Sequence, residues 1–160
     1  MNRRHVLIGL LVVTSIVPAA TYAAEAGPTE LVNVLYKVQA AAQKKGPMPT
    51  DKSQRGKFFD SNLIKLLEDD DKIVEKEGMG RLSFDPFYAG QDFKITRLKV
   101  GQAAIDGDKA RLRVNFDNFE KPQELLYQLV RQHDGWRISN ISSQKGETKW
   151  DLISVLQGKD

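Results

Sequence analysis

Asp85, Tyr88, Gln91 and Asp92 fall within eight consecutive positions of the stretch from Glu77 to Phe93, which also carries three glycines, one proline and four aromatic rings. Two carboxylates, a phenol and an amide are the side chains that recognise a polar ligand or a partner. A carboxylate held at a shifted pKa beside a substrate could also do general acid–base work. A local role competes with that reading. Asp85 precedes Pro86, a turn-initiating pair, and its carboxylate can accept backbone N–H groups of the same turn. Gln91 and Asp92 follow Gly90 and precede an extended run, where the same local bonding is expected. The local role takes precedence, and the four residues stand as candidate ligand- or partner-binding groups. No residue is assigned a catalytic role.

The other chemistry-bearing runs are sparser. Glu68-Asp69-Asp70-Asp71 concentrates carboxylates but lacks the alternating ligands and central glycine of a calcium loop, so a solvated helix end is expected and no metal. His133 stands beside Asp134 in a turn, and the chain's other histidine, His5, lies near the start, so no pair is placed to bind zinc. There is no glycine-rich phosphate loop and no Gly-x-Ser-x-Gly elbow. No cofactor is expected. Arg97, Lys99, Arg111 and Arg113 can line the outer face of a sheet, either as an ordinary soluble surface or as a docking face for an acidic partner.

The elements that must position these groups change character at Glu77–Phe93. Before it, apolar residues recur at helical spacing. Leu31, Val34, Leu35, Val38, Ala41 and Ala42 make one stripe of a helix that Thr29 can cap and that Gly46-Pro47-Met48-Pro49 ends. A second helix begins near Asp60-Ser61, carries Leu63, Ile64, Leu66 and Leu67, continues through Ile73 and Val74, and meets a stop at Gly78. Phe58 and Phe59 pack on the same core.

After the hinge the pattern alternates. Phe93–Val100 reads as a strand that Ala103-Ala104-Ile105 can prolong, and Asp106-Gly107 as a hairpin turn. Ala110, Leu112, Val114 and Phe116 point one way and Lys109, Arg111, Arg113 and Asn115 the other, a strand with one wet face. A turn at Asn118–Pro122 leads into Glu124–Gln132, apolar on both faces and therefore central. Asp134-Gly135 turns into Trp136–Ile141, and a short helix over Thr148–Leu156 returns Trp150, Ile153 and Leu156 to the body. Helices followed by an antiparallel meander give an α+β domain with N-terminal helices packed on a curved antiparallel sheet. A sheet wrapped around a helix leaves a conical cavity.

The first residues address the chain. Asn2-Arg3-Arg4, the apolar run Val6–Val17 and Thr21-Tyr22-Ala23 make a cleavable secretory signal over residues 1–23. The apolar run, about 12 residues, falls short of the roughly 20 a spanning helix needs. No cysteine follows to carry lipid or a disulfide. A periplasmic protein with no stable membrane anchor after cleavage is expected, with residues 24–160 as a single domain. Twenty-two basic residues then face twenty-one acidic ones, a formal charge of +1. So small a charge gives no electrostatic case for nucleic acid.

Helix, helix, hinge, long strands with Asp-Gly turns and a closing Gly135-Trp136-Arg137-Ile138 resemble the nuclear-transport-factor-like cone fold, shared by ketosteroid isomerases and SnoaL-like polyketide cyclases. Leu82-Ser83-Phe84-Asp85-Pro86-Phe87, with Gly90-Gln91-Asp92-Phe93, is similar to an uncharacterised family of exported bacterial proteins, over roughly residues 30–156. The resemblance implies a fold and an envelope address and brings no activity. The superfamily's buried carboxylate or His beside a Tyr or second acid cannot be placed here residue by residue. The expected function is therefore a non-enzymatic periplasmic binding protein whose partner is another envelope protein, with an immunity protein or inhibitor of a toxin or wall-degrading enzyme as its most concrete form. A small apolar ligand in the cone cavity is the alternative, and an isomerase- or cyclase-type enzyme the third.

Overall fold

A computed structural model describes residues 26–145 and 148–159, so the expected signal at residues 1–23 lies outside the described residues. Helix α1 spans Pro28–Ala42, a short α2 Arg55–Phe58, and α3 Ser61–Glu77. Strands follow: β1 Ile95–Val100, β2 Ala104–Asp106, β3 Lys109–Asn118, β4 Lys121–Gln132, β5 Gly135–Lys145 and β6 Trp150–Asp151, closed by α4 Leu152–Gln157. The strands form one antiparallel sheet in the order β1-β3-β4-β5-β6, with β2 beside β3. β4 is central, as its two apolar faces require. The fold is α+β, with α1, α2, α3 and α4 all reaching β5.

Local signals explain most of the boundaries. Asp60 caps α3 by accepting a 2.8 Å bond from Leu63 N, and Gly78 ends it at φ 81°, a left-handed cap that costs glycine nothing. Gly107 takes φ 56° in the β2–β3 turn, as a tight hairpin demands. In β3 the alternation holds, with Ala110, Leu112, Val114 and Phe116 buried and Lys109, Arg111, Arg113 and Asn115 exposed. Interrupted register at Thr96/Lys99, Glu124/Leu125 and Gln128/Leu129 marks bulges, which bend a sheet and increase its twist.

Three expectations about the first and last helices change. Thr29 does not cap α1; Gly27 holds that position, Pro28 sits in the first turn, and Thr29 Oγ1 instead accepts from Ala103 N at 3.0 Å. The buried face of α1 is Val32, Leu35, Tyr36 and Gln39, rotated from the purely apolar stripe and leaving Val34 38% exposed. Its partners, the hinge and sheet, offer acceptors to Tyr36 and Gln39, so a mixed face wins over the apolar one. At the C-terminus Trp150 and Asp151 form a strand beside Ser142 and Ser143, and the helix starts only at Leu152, where the Asp151 carboxylate accepts from Ser154 N at 3.1 Å.

The concave side of the sheet is filled. Leu35, Phe58, Phe59, Leu63 and Phe87 meet Val114, Leu125, Tyr127, Leu129, Ile138 and Ile141 in one buried cluster. This cluster lies where the helices meet the sheet.

Candidate functional site

The hinge is ordered by its own backbone. Asp85 N donates to Gly90 O at 3.0 Å and Gly90 N to Asp85 O at 3.3 Å, closing a six-residue loop in which Ala89 turns the chain at φ 54°. Inside it, Asp85 Oδ1 accepts from Phe87 N at 2.8 Å and Tyr88 N at 3.1 Å. The turn predicted from Asp85-Pro86 is present, and the carboxylate ties it.

That carboxylate also faces inward. Its Oδ2 accepts from Gln39 Nε2 of α1, while Gln39 Oε1 is buried without a partner. Close by, Tyr127 OH of β4 donates to Tyr36 OH at 2.9 Å, which donates to Phe87 O at 3.0 Å. Burial pushes the Asp85 carboxyl above the usual carboxylate range, against the three N–H bonds that favour its charge. Burial likewise raises the Tyr36, Tyr88 and Tyr127 phenols, the Tyr127 ring being fully enclosed. The phenols therefore stay neutral, and those of Tyr36 and Tyr127 act as hydrogen-bonding posts.

The four candidates do not converge. Tyr88 is buried, its ring 4.7 Å from that of Phe93 and 6.1 Å from that of Tyr36, and Asp85 points to the same interior. Gln91 and Asp92 are exposed. Gln91 Nε2 donates to Ser83 O at 3.2 Å, and the Asp92 carbonyl accepts from Asn118 Nδ2 at 3.3 Å. Gln91 does line a surface cleft of about 550 Å³, between the hinge, the start of β4 and the segment before β6. Phe84 and Trp150 meet edge to face on its wall at 5.0 Å, and Lys121 and Lys149 lie at its rim.

The acidic run is divided rather than pooled. Asp70 is buried and accepts from Arg81 N at 2.7 Å and Leu82 N at 3.3 Å. It is not a solvated helix end but the post that fixes the chain's return after α3. Asp71 takes a two-bond grip from the buried Arg55 at 2.7 and 2.8 Å, which holds its carboxyl below the usual range. Asp69 pairs with Lys72. Asp69, Asp70 and Asp71 thus face three separate partners.

On the outer face of the sheet the expected cations are unequal. Arg97 is bound to Asp117, and Arg113 lies 3.6 Å from Glu124. The side chains of Lys99 and Arg111 make no hydrogen bond or ion pair with the described residues. Two surface clefts, of about 450 and 390 Å³, flank Arg111.

Sequence reasoning missed Tyr36, Gln39 and Tyr127. Gln39 carried a signal, a polar residue four positions after Leu35 on the face that turns inward. The two tyrosines looked like ordinary core rings.

No family model and no curated protein sequence matches the chain. Among solved structures, a chain of the type VI native effector–immunity complex Tae3–Tai3 from Ralstonia pickettii is similar at TM-score 0.55 and 18% identity, over 78% of this chain and 100% of that one. A phospholipid-binding protein from Ralstonia solanacearum, solved with a phospholipid, is similar at TM-score 0.45 and 17% identity, over 85% of each chain. At such identity the first likeness speaks for the fold alone, and the second is too loose to argue from.

Proposed function

We propose that this chain is a non-enzymatic binding protein of the periplasm, exported by the leader at residues 1–23, whose partner is another envelope protein. Its most concrete form is an immunity protein or inhibitor. One observation carries the reading: the interior polar groups, Gln39 Oε1 apart, bind each other. Asp85 is engaged by Phe87 N, Tyr88 N and Gln39, and Tyr36 and Tyr127 are engaged in series, with packed rings around them. A substrate would have to displace both the rings and the bonds. Recognition is left to the surface, where Lys99 and Arg111 are uncommitted and the hinge cleft is open.

The fold shared with a chain of an effector–immunity complex supports the immunity form. The helices on one face and the bulges of β1 and β5 favour the nuclear-transport-factor-like cone as the parent architecture. The cleft walled by Phe84 and Trp150 supports a second reading, a small apolar ligand held at the surface rather than in the cone.

Affinity capture from envelope extract, read by mass spectrometry, tests the first reading. One exported protein should return in stoichiometric amount, and co-expression should suppress any toxicity that protein has. Failure of the wild-type chain to retain any protein stoichiometrically overturns it.

A further inference from the structure

The β3–β4 hairpin turns on two residues whose types are wrong for its geometry. Asn118 pairs with Lys121, so Phe119 and Glu120 form the whole loop, at φ 47° and 66°. Positive φ at both central positions is the requirement of a type I′ turn, which asparagine and glycine meet. A bulky aromatic residue there is a backbone outlier. Packing does not explain it either: the Phe119 side chain is 53% exposed, and the Glu120 carboxylate has no partner among the described residues.

The tip is nevertheless held firmly. Phe119 N donates to Lys94 O at 3.2 Å. Asn118 accepts from Lys94 N at 2.9 Å and donates to Asp92 O at 3.3 Å. A ring and a carboxylate are thus presented to solvent on a rigid, strained turn whose own stability they oppose. Strained backbone clusters at binding and switch sites, and aromatic residues, Phe among them, are enriched at the core of protein interfaces.

We infer that the Phe119–Glu120 tip is the anchor of the binding surface, inserting into a ring-sized apolar slot with a basic rim on a protein partner. Phe119 fills the slot and Glu120 meets the rim. This rests on the protein-binding reading above. The tip was not legible as a site, because Asn118–Pro122 contains neither glycine nor an Asn-Gly pair.

The double variant Phe119→Asn/Glu120→Gly gives the turn the residues it prefers and removes both contacts. The probe is the protein captured by the wild-type chain, identified and purified. The double variant should melt roughly 2–8 °C higher than wild type and bind the probe about thirtyfold more weakly or worse. Glu120→Gln alone should weaken binding at low salt, with the difference shrinking as salt rises. Unchanged probe affinity in the double variant overturns the inference and leaves the binding reading standing, and so does a lowered melting point. Capture of no protein by wild type overturns both. Vesicles of phosphatidylethanolamine and phosphatidylglycerol form the other arm. Sedimentation of wild type but not of the double variant would make the tip a lipid anchor and overturn the protein slot.

Discussion

Gln39 of α1 and Asp85 of the hinge, 46 positions apart in sequence, are joined by a hydrogen bond from the amide Nε2 to the carboxylate Oδ2. The other amide atom, Oε1, is buried with nothing to bind. If Asp85 takes a proton and the amide turns over, the carboxyl O–H can donate to Oε1, while Nε2 moves to the place the orphan oxygen held. Burial holds the pKa of that carboxyl above its ordinary value.

The pH dependence follows from that direction. Folding raises the Asp85 pKa, chiefly by burial, so the folded chain binds this proton more readily than the unfolded one. The stability from this group is full below the ordinary carboxylate pKa of about 3.9 and is lost as pH rises through the raised value. Asp85→Asn keeps an acceptor for Phe87 N and Tyr88 N and offers Gln39 Oε1 a donor. At neutral pH it should lie within about 1 kcal/mol of wild type, while Asp85→Ala loses about 1–3 kcal/mol. Denaturant midpoints across the acid range should show wild type gaining on the Asn variant as pH falls. An Asn variant as unstable as the Ala variant would contradict this.

The tyrosine chain has a direction, and its two members should not cost the same. Tyr127→Phe removes one donor to Tyr36 OH, a loss of about 0.5–1.5 kcal/mol. Tyr36→Phe strands both the Tyr127 hydroxyl and the Phe87 carbonyl and should cost more. The double variant should cost little beyond Tyr36→Phe alone, since the groups are coupled. Additive losses in urea melts would show that the hydroxyls act separately.

β3 separates core from surface within two adjacent positions. Leu112 is 2% exposed, and its truncation to Ala should cost about 2–5 kcal/mol. Arg113, exposed and loosely paired with Glu124, should cost less than about 1 kcal/mol when changed to Ala. Equal midpoints for the two variants would place the strand's faces wrongly.

What could be read from sequence was what short-range chemistry decides. Asp60 and Gly78 bound α3, Asp106-Gly107 turns a hairpin, and the alternation of β3 sorts its faces, all through contacts a few residues long or through period alone. The Asp85 turn belongs to the same class. Long-range pairing was hidden. The face of α1 was set by acceptors 46 and 51 positions away, and Asp70 left the acidic run for Arg81 N because α3 is followed by a tight return. Phe119-Glu120 was hidden for the opposite reason, a local geometry that its residues oppose.

Native mass spectrometry of the protein recovered from the cells that make it bears most directly on the central proposal, that binding occurs at the surface and to a protein. The account predicts the free chain without a small-molecule adduct, beginning at Ala24, and a second species carrying one further polypeptide. A chain that retains a small-molecule adduct and no polypeptide, or one found only in the membrane pellet with Met1 in place, would contradict it.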